Sequence, residues 1–118
     1  MRVLLDTNVV LDVLLEWPEW VTDAAIIWEA AEDGRLECFL TATSLTTIYY
    51  VTHRSRSADE ARRAVRNCLD HLTMIGVDEP MLERAYFLAG RDFEDDLQVA
   101  CAAGHLVDAI VTRDLDFP

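Results

Sequence analysis

The stretch Arg2-Val3-Leu4-Leu5-Asp6-Thr7-Asn8-Val9-Val10-Leu11-Asp12 decides the fold. Arg2 to Leu5 is a short apolar run, as expected of a strand buried on both faces of a parallel sheet. It ends at Asp6. From Asn8 to Glu16 the apolar Val9, Leu11, Val13, Leu14 and Leu15 follow, and the reading changes to a helix that Pro18 stops.

The alternation continues down the chain. Trp20 to Glu32 carries Val21, Ala24, Ala25, Trp28 and Ala31 at helical spacing, and Gly34 closes that helix. Cys38-Phe39-Leu40 is a second strand, followed by a helix from Ala42 to Val51. Ser57 caps a helix over 58–69, whose apolar stripe is Ala61, Val65, Leu69 and Leu72. Met74 to Val77 is a third strand, and Pro80 opens a helix ending near Gly90. Asp92 caps a helix over 93–103 that stops at Gly104, and Ala109 to Thr112 is the fourth strand. Strands alternating with helices predict a three-layer α/β/α domain with a mainly parallel sheet. Residues 1–118 are expected to form this single domain, without repeats or linkers.

Composition narrows the chemistry. The 118 residues are 52% apolar, enough for one ordinary core and too much for intrinsic disorder. Ten basic and twenty-two acidic residues give a net charge of −12, and every basic residue is arginine. The lack of lysine excludes P-loop and Schiff-base chemistries. The acidity argues against a simple electrostatic nucleic-acid binder, whose affinity comes from neutralising phosphates. Cys38, Cys68 and Cys101 form no CxxC pair and have no histidine at zinc-ligand spacing, so they read as reduced, buried residues of a cytoplasmic protein. Asp6, Asn8 and Asp12 interrupt what could pass for a signal peptide, and no apolar run is long enough to span a membrane.

Asp6 follows the first strand and Asp114 the fourth. In open α/β sheets ligands bind beyond the carboxyl ends of strands, where the strand order reverses, so the two carboxylates converge if those strands are neighbours. Asp92, Glu94, Asp95 and Asp96 open a helix, where acids also serve simply as caps and dipole partners. Carboxylates about 4 Å apart repel by roughly 4 kcal/mol per pair at an effective dielectric near 20. A site gathering three must protonate one or bind a hard cation, and oxygen-only ligands suit Mg²⁺ or Mn²⁺.

At these residues the chain resembles a known family. Leu4-Leu5-Asp6-Thr7-Asn8-Val9-Val10-Leu11-Asp12 resembles the opening of PIN-domain nucleases. Asp95-Asp96-Leu97-Gln98-Val99-Ala100-Cys101-Ala102 is similar to the family's aspartate-led, alanine-rich helix. Ile110-Val111-Thr112-Arg113-Asp114-Leu115-Asp116-Phe117 resembles its closing strand motif. The segments stand in family order and spacing over essentially the whole chain, nearest in type to VapC toxins. The resemblance implies a PIN-like sheet of four to five strands in the order 3-2-1-4(-5), and a Mg²⁺- or Mn²⁺-dependent endoribonuclease acting as the toxin of a toxin–antitoxin pair. The partners then expected are an RNA substrate, an antitoxin protein and a second copy in a homodimer. It matches Asp6, Asp95 and Asp114 to the catalytic metal ligands, Asn8 to a bracing residue and Thr112 to a small polar neighbour, with Asp116 a further candidate. Periodicity does not choose between Asp95 and Asp96; the resemblance selects Asp95.

Two departures stand out. Where relatives carry a glutamate on the helix after the second strand, Ser44-Leu45-Thr46-Thr47-Ile48-Tyr49-Tyr50 puts Thr47. A threonine brings no charge, and its ordinary role in a helix is to bond back to a carbonyl one turn earlier. Relatives also continue into a fifth strand where this sequence ends. With the fourth acid lost at Thr47, the rival reading is a weakened or inactive PIN module that binds RNA or protein. Haloacid-dehalogenase phosphatases need an aspartate at position 8 and a lysine, and receiver domains need the lysine, so both fail.

The remaining candidates have plain readings beside functional ones. His53, His71 and His105 are scattered and form no triad. Trp28 reads as core, while Trp17 and Trp20 flank Pro18 and suit either packing or a partner surface. Arg54, Arg56, Arg62, Arg63 and Arg66 form either a solvated helix face or a strip where a phosphate backbone docks.

Overall fold

The computed structural model describes residues 1–113; Asp114 and Asp116 lie outside the described residues. Strand β1 (Arg2–Leu5) leads into α1 (Thr7–Leu14) and α2 (Val21–Glu32). Strand β2 (Glu37–Thr41) leads into α3 (Ala42–Ser55) and α4 (Ala58–His71). Strand β3 (Thr73–Ile75) leads into α5 (Glu79–Leu88) and α6 (Phe93–Gly104), and the described chain closes on β4 (Ala109–Val111). All the strand pairs are parallel, in the order β3-β2-β1-β4. The sheet order and the three layers agree with the expected fold.

Alternation along the strands builds the two cores. Val3, Leu5, Cys38 and Leu40 face one side, where Val10, Leu11, Trp28, Ile48, Ala64 and Cys68 of α1 to α4 cover them. Leu4 and Phe39 face the other side, beneath Ala85 of α5 and Leu97, Cys101 and Ala102 of α6. Because α5 and α6 carry the chain from one edge, β3, back past β1 to β4, strand order reverses at β1. The carboxyl ends of β1 and β4 therefore stand side by side, with Leu5 opposite Val111.

Some sequence expectations are corrected. The buried stripe of α4 is Ala61, Ala64 and Cys68, with Leu72 just beyond, while Val65 is half-buried and Leu69 is 42% exposed. Spacings of three and four made both stripes possible; packing against α3 chose the one with smaller residues, which lets the helices approach. Helix α3 continues to Ser55 rather than Val51, because His53 and Arg54 complement the negative end of its dipole. Strand β3 ends at Ile75, two residues early, where its pairing with Thr41 of β2 stops. Gly34 does close α2, in a left-handed conformation at φ +74°.

The cysteines are buried and free. Burial pushes the Cys68 thiol up to about 12 and raises those of Cys38 and Cys101, with Asp78 adding to the rise at Cys101. The unfolded chain releases the Cys68 proton near its ordinary value of 9.0, whereas the fold holds it to about 12. Across that window the unfolded state binds fewer protons, so stability is intact below pH 9 and falls as pH rises through it. Urea midpoints should follow that course, and Cys68→Ala should flatten it. A thiol reagent should modify the three cysteines only after denaturation; rapid labelling of the native protein would contradict their burial.

Candidate active site

Helix α1 starts at Asp6 without using its side chain. Asp6 occupies the N-cap position in extended conformation, yet its carboxylate makes no capping bond. Four other helices are capped by side chains: Thr41 accepts from Ser44 N, Ser57 from Glu60 N, Asp78 from Met81 N and Asp92 from Asp95 N. A side-chain cap contributes about 1 kcal/mol, so α1 forgoes local stability at this residue. The Asp6 carboxylate is instead held across the sheet. Its Oδ2 accepts from Thr112 Oγ1 at 2.7 Å, and its Oδ1 from Gln98 Nε2 at 3.2 Å. Its backbone N–H donates to Val111 O at 2.9 Å, pinning the ends of β1 and β4 together.

The four acids at the start of α6 divide by role. Asp92 Oδ1 caps the helix through Asp95 N at 3.1 Å. Asp96 is buried, and its Oδ2 accepts from Gly90 N at 2.9 Å. A Cβ on Gly90 would collide with that carboxylate, so the glycine is required by close approach rather than by its backbone angles. Glu94 and Asp95 line a cleft of about 210 Å³ together with Asp6, Thr7, Asn8, Thr47, Val51 and Asp92. Asp6 and Asp95, two of the three carboxylates selected from sequence, thus border one cleft at the reversal of strand order. Asn8 also lines the cleft, and Thr112, just past the end of β4, binds Asp6.

Thr47 also borders the cleft, with its hydroxyl bonded back to Thr43 O at 3.4 Å. Glu94 shares the cleft with it. Glu94 Oε1 accepts the Thr7 hydroxyl at 2.9 Å, and Thr7 Oγ1 lies 2.7 Å from Ser44 Oγ, itself 2.9 Å from Thr41 Oγ1. Sequence reasoning did not single out Thr7 or Gln98. Gln98 had a signal, since it follows Asp95 by three positions and Glu94 by four and so shares their face of α6.

Asp12, 1% exposed, is ion-paired with Arg113: Nε lies 2.9 Å from Oδ2 and Nη2 lies 3.3 Å from Oδ1. The guanidinium is stacked over Trp20 at 4.7 Å, so that tryptophan packs against the exit of β4. Trp28 is core, tilted against His71 at 5.8 Å. His53 stacks on Tyr49, and His105 Nδ1 sits 3.1 Å from Cys101 O. None of the histidines lines the cleft.

The arginine strip lies elsewhere. Arg62, Arg63 and Arg66 line a groove of about 410 Å³ with Tyr49, Val65 and Leu69. Tyr49 is two positions on from Thr47 and so roughly 200° around α3, away from the acidic cleft. Arg56 donates to Leu15 O at 2.7 Å, and Arg66 pairs with Asp70, so both have structural partners. Arg54 is exposed at the end of α3.

The donor set at the cleft is oxygen-only and acidic. Among the described residues no three acid, imidazole or thiol side chains come close enough to enclose an ion directly. Gln98 Oε1 is buried and meets no donor among those residues. Carboxylates with an orphaned carbonyl behind them fit a hard divalent cation held by one or two carboxylates and otherwise hydrated, the usual habit of Mg²⁺.

A parallel α/β sheet with a carboxylate cleft at its switch point is an open α/β fold that carries its candidate site where such folds bind ligands. The sequence specifies which: residues 2–116 match the PIN domain, and the chain belongs to that family. No curated protein sequence matches it significantly. Among solved structures it is similar to VapC20 of Mycobacterium tuberculosis, a sarcin–ricin-loop-cleaving toxin, at 16% identity and a TM-score of 0.80 over 98% of this chain and 92% of that one. VapBC2 of Rickettsia felis bound to promoter DNA matches at 15% identity and 0.73, over 99% and 91%. A toxin–antitoxin complex from Klebsiella pneumoniae matches at 18% and 0.69, over 98% and 89%.

Proposed function

We propose that the protein is a divalent-cation-dependent endoribonuclease and the toxin of a toxin–antitoxin pair. The observation that carries this reading is the Asp6 carboxylate, withdrawn from its own helix and held at the strand-order reversal by Gln98 and Thr112, in a cleft shared with Asp95. Membership of the PIN family and likeness to VapC structures support it, and the toxin–antitoxin assemblies among them support an antitoxin partner. Asp6 and Asp95 would hold Mg²⁺ or Mn²⁺, with Asp114 a third ligand by sequence. The cation would supply positive charge for the phosphodiester and lower the pKa of water.

The chain's own residues then do the rest. Gln98 and Thr112 keep both Asp6 oxygens aimed, which limits the reorganisation needed during the reaction. In the hydrolysis, the water oxygen bonds to phosphorus and the P–O3′ bond breaks, leaving a 5′-phosphate and a 3′-hydroxyl. No described helix is long and apolar enough to cross a membrane.

The test pairs two measurements on the purified protein. Labelled RNA should be cut with Mn²⁺ or Mg²⁺ and left intact with EDTA. Mn²⁺ at a hundred times its Kd should stabilise the fold by about 2.7 kcal/mol, a rise in Tm of roughly 10 °C. Cleavage that survives EDTA, or an unchanged Tm, would remove the cation from the reading.

A further inference from the structure

We infer that Glu94 is the acid of the Thr47 corner of the cleft, positioned by Thr7 to order water around the bound cation and the scissile phosphate. This rests on the nuclease reading. An acid in the first turn of a helix has an ordinary local use, but here Asp92 caps α6, and Glu94 turns away from its own helix to the β1–α1 junction. The Thr7 hydroxyl that holds it is buried, follows Asp6 directly, and is backed by the buried hydroxyls of Ser44 and Thr41. Fixing a long, flexible glutamate in this way costs side-chain entropy that a merely solvated acid would keep. The Thr7 bond takes one acceptor position of a carboxylate that has about four.

Gln98 supplies an independent observation. It lies one turn beyond Glu94 on the same face of α6, fully buried, with Nε2 on Asp6 and Oε1 without a donor among the described residues. Reversing the amide would set its oxygen against the Asp6 carboxylate, so this orientation follows from chemistry. A buried carbonyl left this way, behind Asp6, points to a partner that the described protein atoms do not provide: water or a cation. With a cation on Asp6 and Asp95, Glu94 would act on it through bound water. Mg²⁺ and its relatives keep several waters when bound to proteins, which leaves a place for such a carboxylate.

The experiment is Mn²⁺ calorimetry on the full chain, with apo Tm measured alongside. Glu94→Gln keeps an amide oxygen for the Thr7 hydroxyl and removes only the charge. Its Mn²⁺ affinity should fall roughly tenfold to a hundredfold, the effect usual for residues acting around a metal's ligands, with apo Tm little changed. Adding Thr47→Glu to Glu94→Gln returns a carboxylate to the same corner and should recover most of that affinity. Wild-type affinity in Glu94→Gln, or a double variant that binds no better than Glu94→Gln, overturns the inference. Asp6→Asn separates this from the reading beneath it: if that variant also binds Mn²⁺ normally, the nuclease reading itself fails.

Discussion

Asp6→Asn should reduce RNA cleavage by at least about a hundredfold while leaving the fold as stable as before. Losing one preorganised electrostatic group of an active site typically costs 10²–10³ in rate. The substitution is nearly isosteric, and its neighbours can adapt. Thr112 can turn its hydroxyl to accept from the new amide, or Gln98 can reverse and present its orphaned Oε1. Removing one of several clustered negative charges also relieves repulsion, so apo Tm should hold or rise slightly, and the Mn²⁺-induced rise should vanish. Gel-based cleavage assays beside thermal melts with and without Mn²⁺ read all three quantities. Cleavage within a few-fold of wild type would mean that Asp6 is a structural residue, and the cleft would lose its claim to the chemistry.

The largest loss of stability is expected from Arg113→Ala. Asp12 is almost wholly buried and meets the Arg113 guanidinium with both oxygens, so truncating the arginine strands a charge inside the protein. Removing one partner of a buried pair costs about 3–5 kcal/mol, and the lower end applies because Arg113 is partly exposed. Tm should fall by roughly 10 °C or more. Arg113→Lys should recover only part of this, since an ammonium has neither the two-pronged geometry nor the flat stacking over Trp20. Adding Asp12→Asn to Arg113→Ala should restore stability, because it removes the stranded charge; a strictly additive double variant would show that the two residues are not coupled. Arg113 directly follows the Thr112 that holds Asp6.

Much of the fold is legible in local pattern. Arg2-Val3-Leu4-Leu5, cut short at Asp6, reads as a buried strand, and Pro18, Gly34 and Asp92 mark helix ends by backbone chemistry that acts within a turn. Strand boundaries were less legible, because β3 ends where its neighbour stops pairing rather than where its own apolar residues run out. The stripe of α4 was ambiguous for a related reason. Val65 and Leu69 are as apolar as a core position requires, and only the close approach of α3 favoured Ala61, Ala64 and Cys68.

The site divides in the same way. The sequence by itself determined that carboxylates follow the first strand and open the sixth helix, and family spacing singled out Asp6 and Asp95. It marked Asp92 as the cap but could not divide the remaining labour among Glu94, Asp95 and Asp96, since the first turn of a helix accepts any of them as a dipole partner. The folded structure decided that: Gly90 takes Asp96, and Thr7, eighty-seven residues away in sequence, takes Glu94. It likewise decided that Asp12 pairs with Arg113 rather than joining the cleft. The roles of Glu94 and Asp12 rest on a hydrogen bond and an ion pair to residues far away in sequence, and such partners meet only once the sheet is assembled.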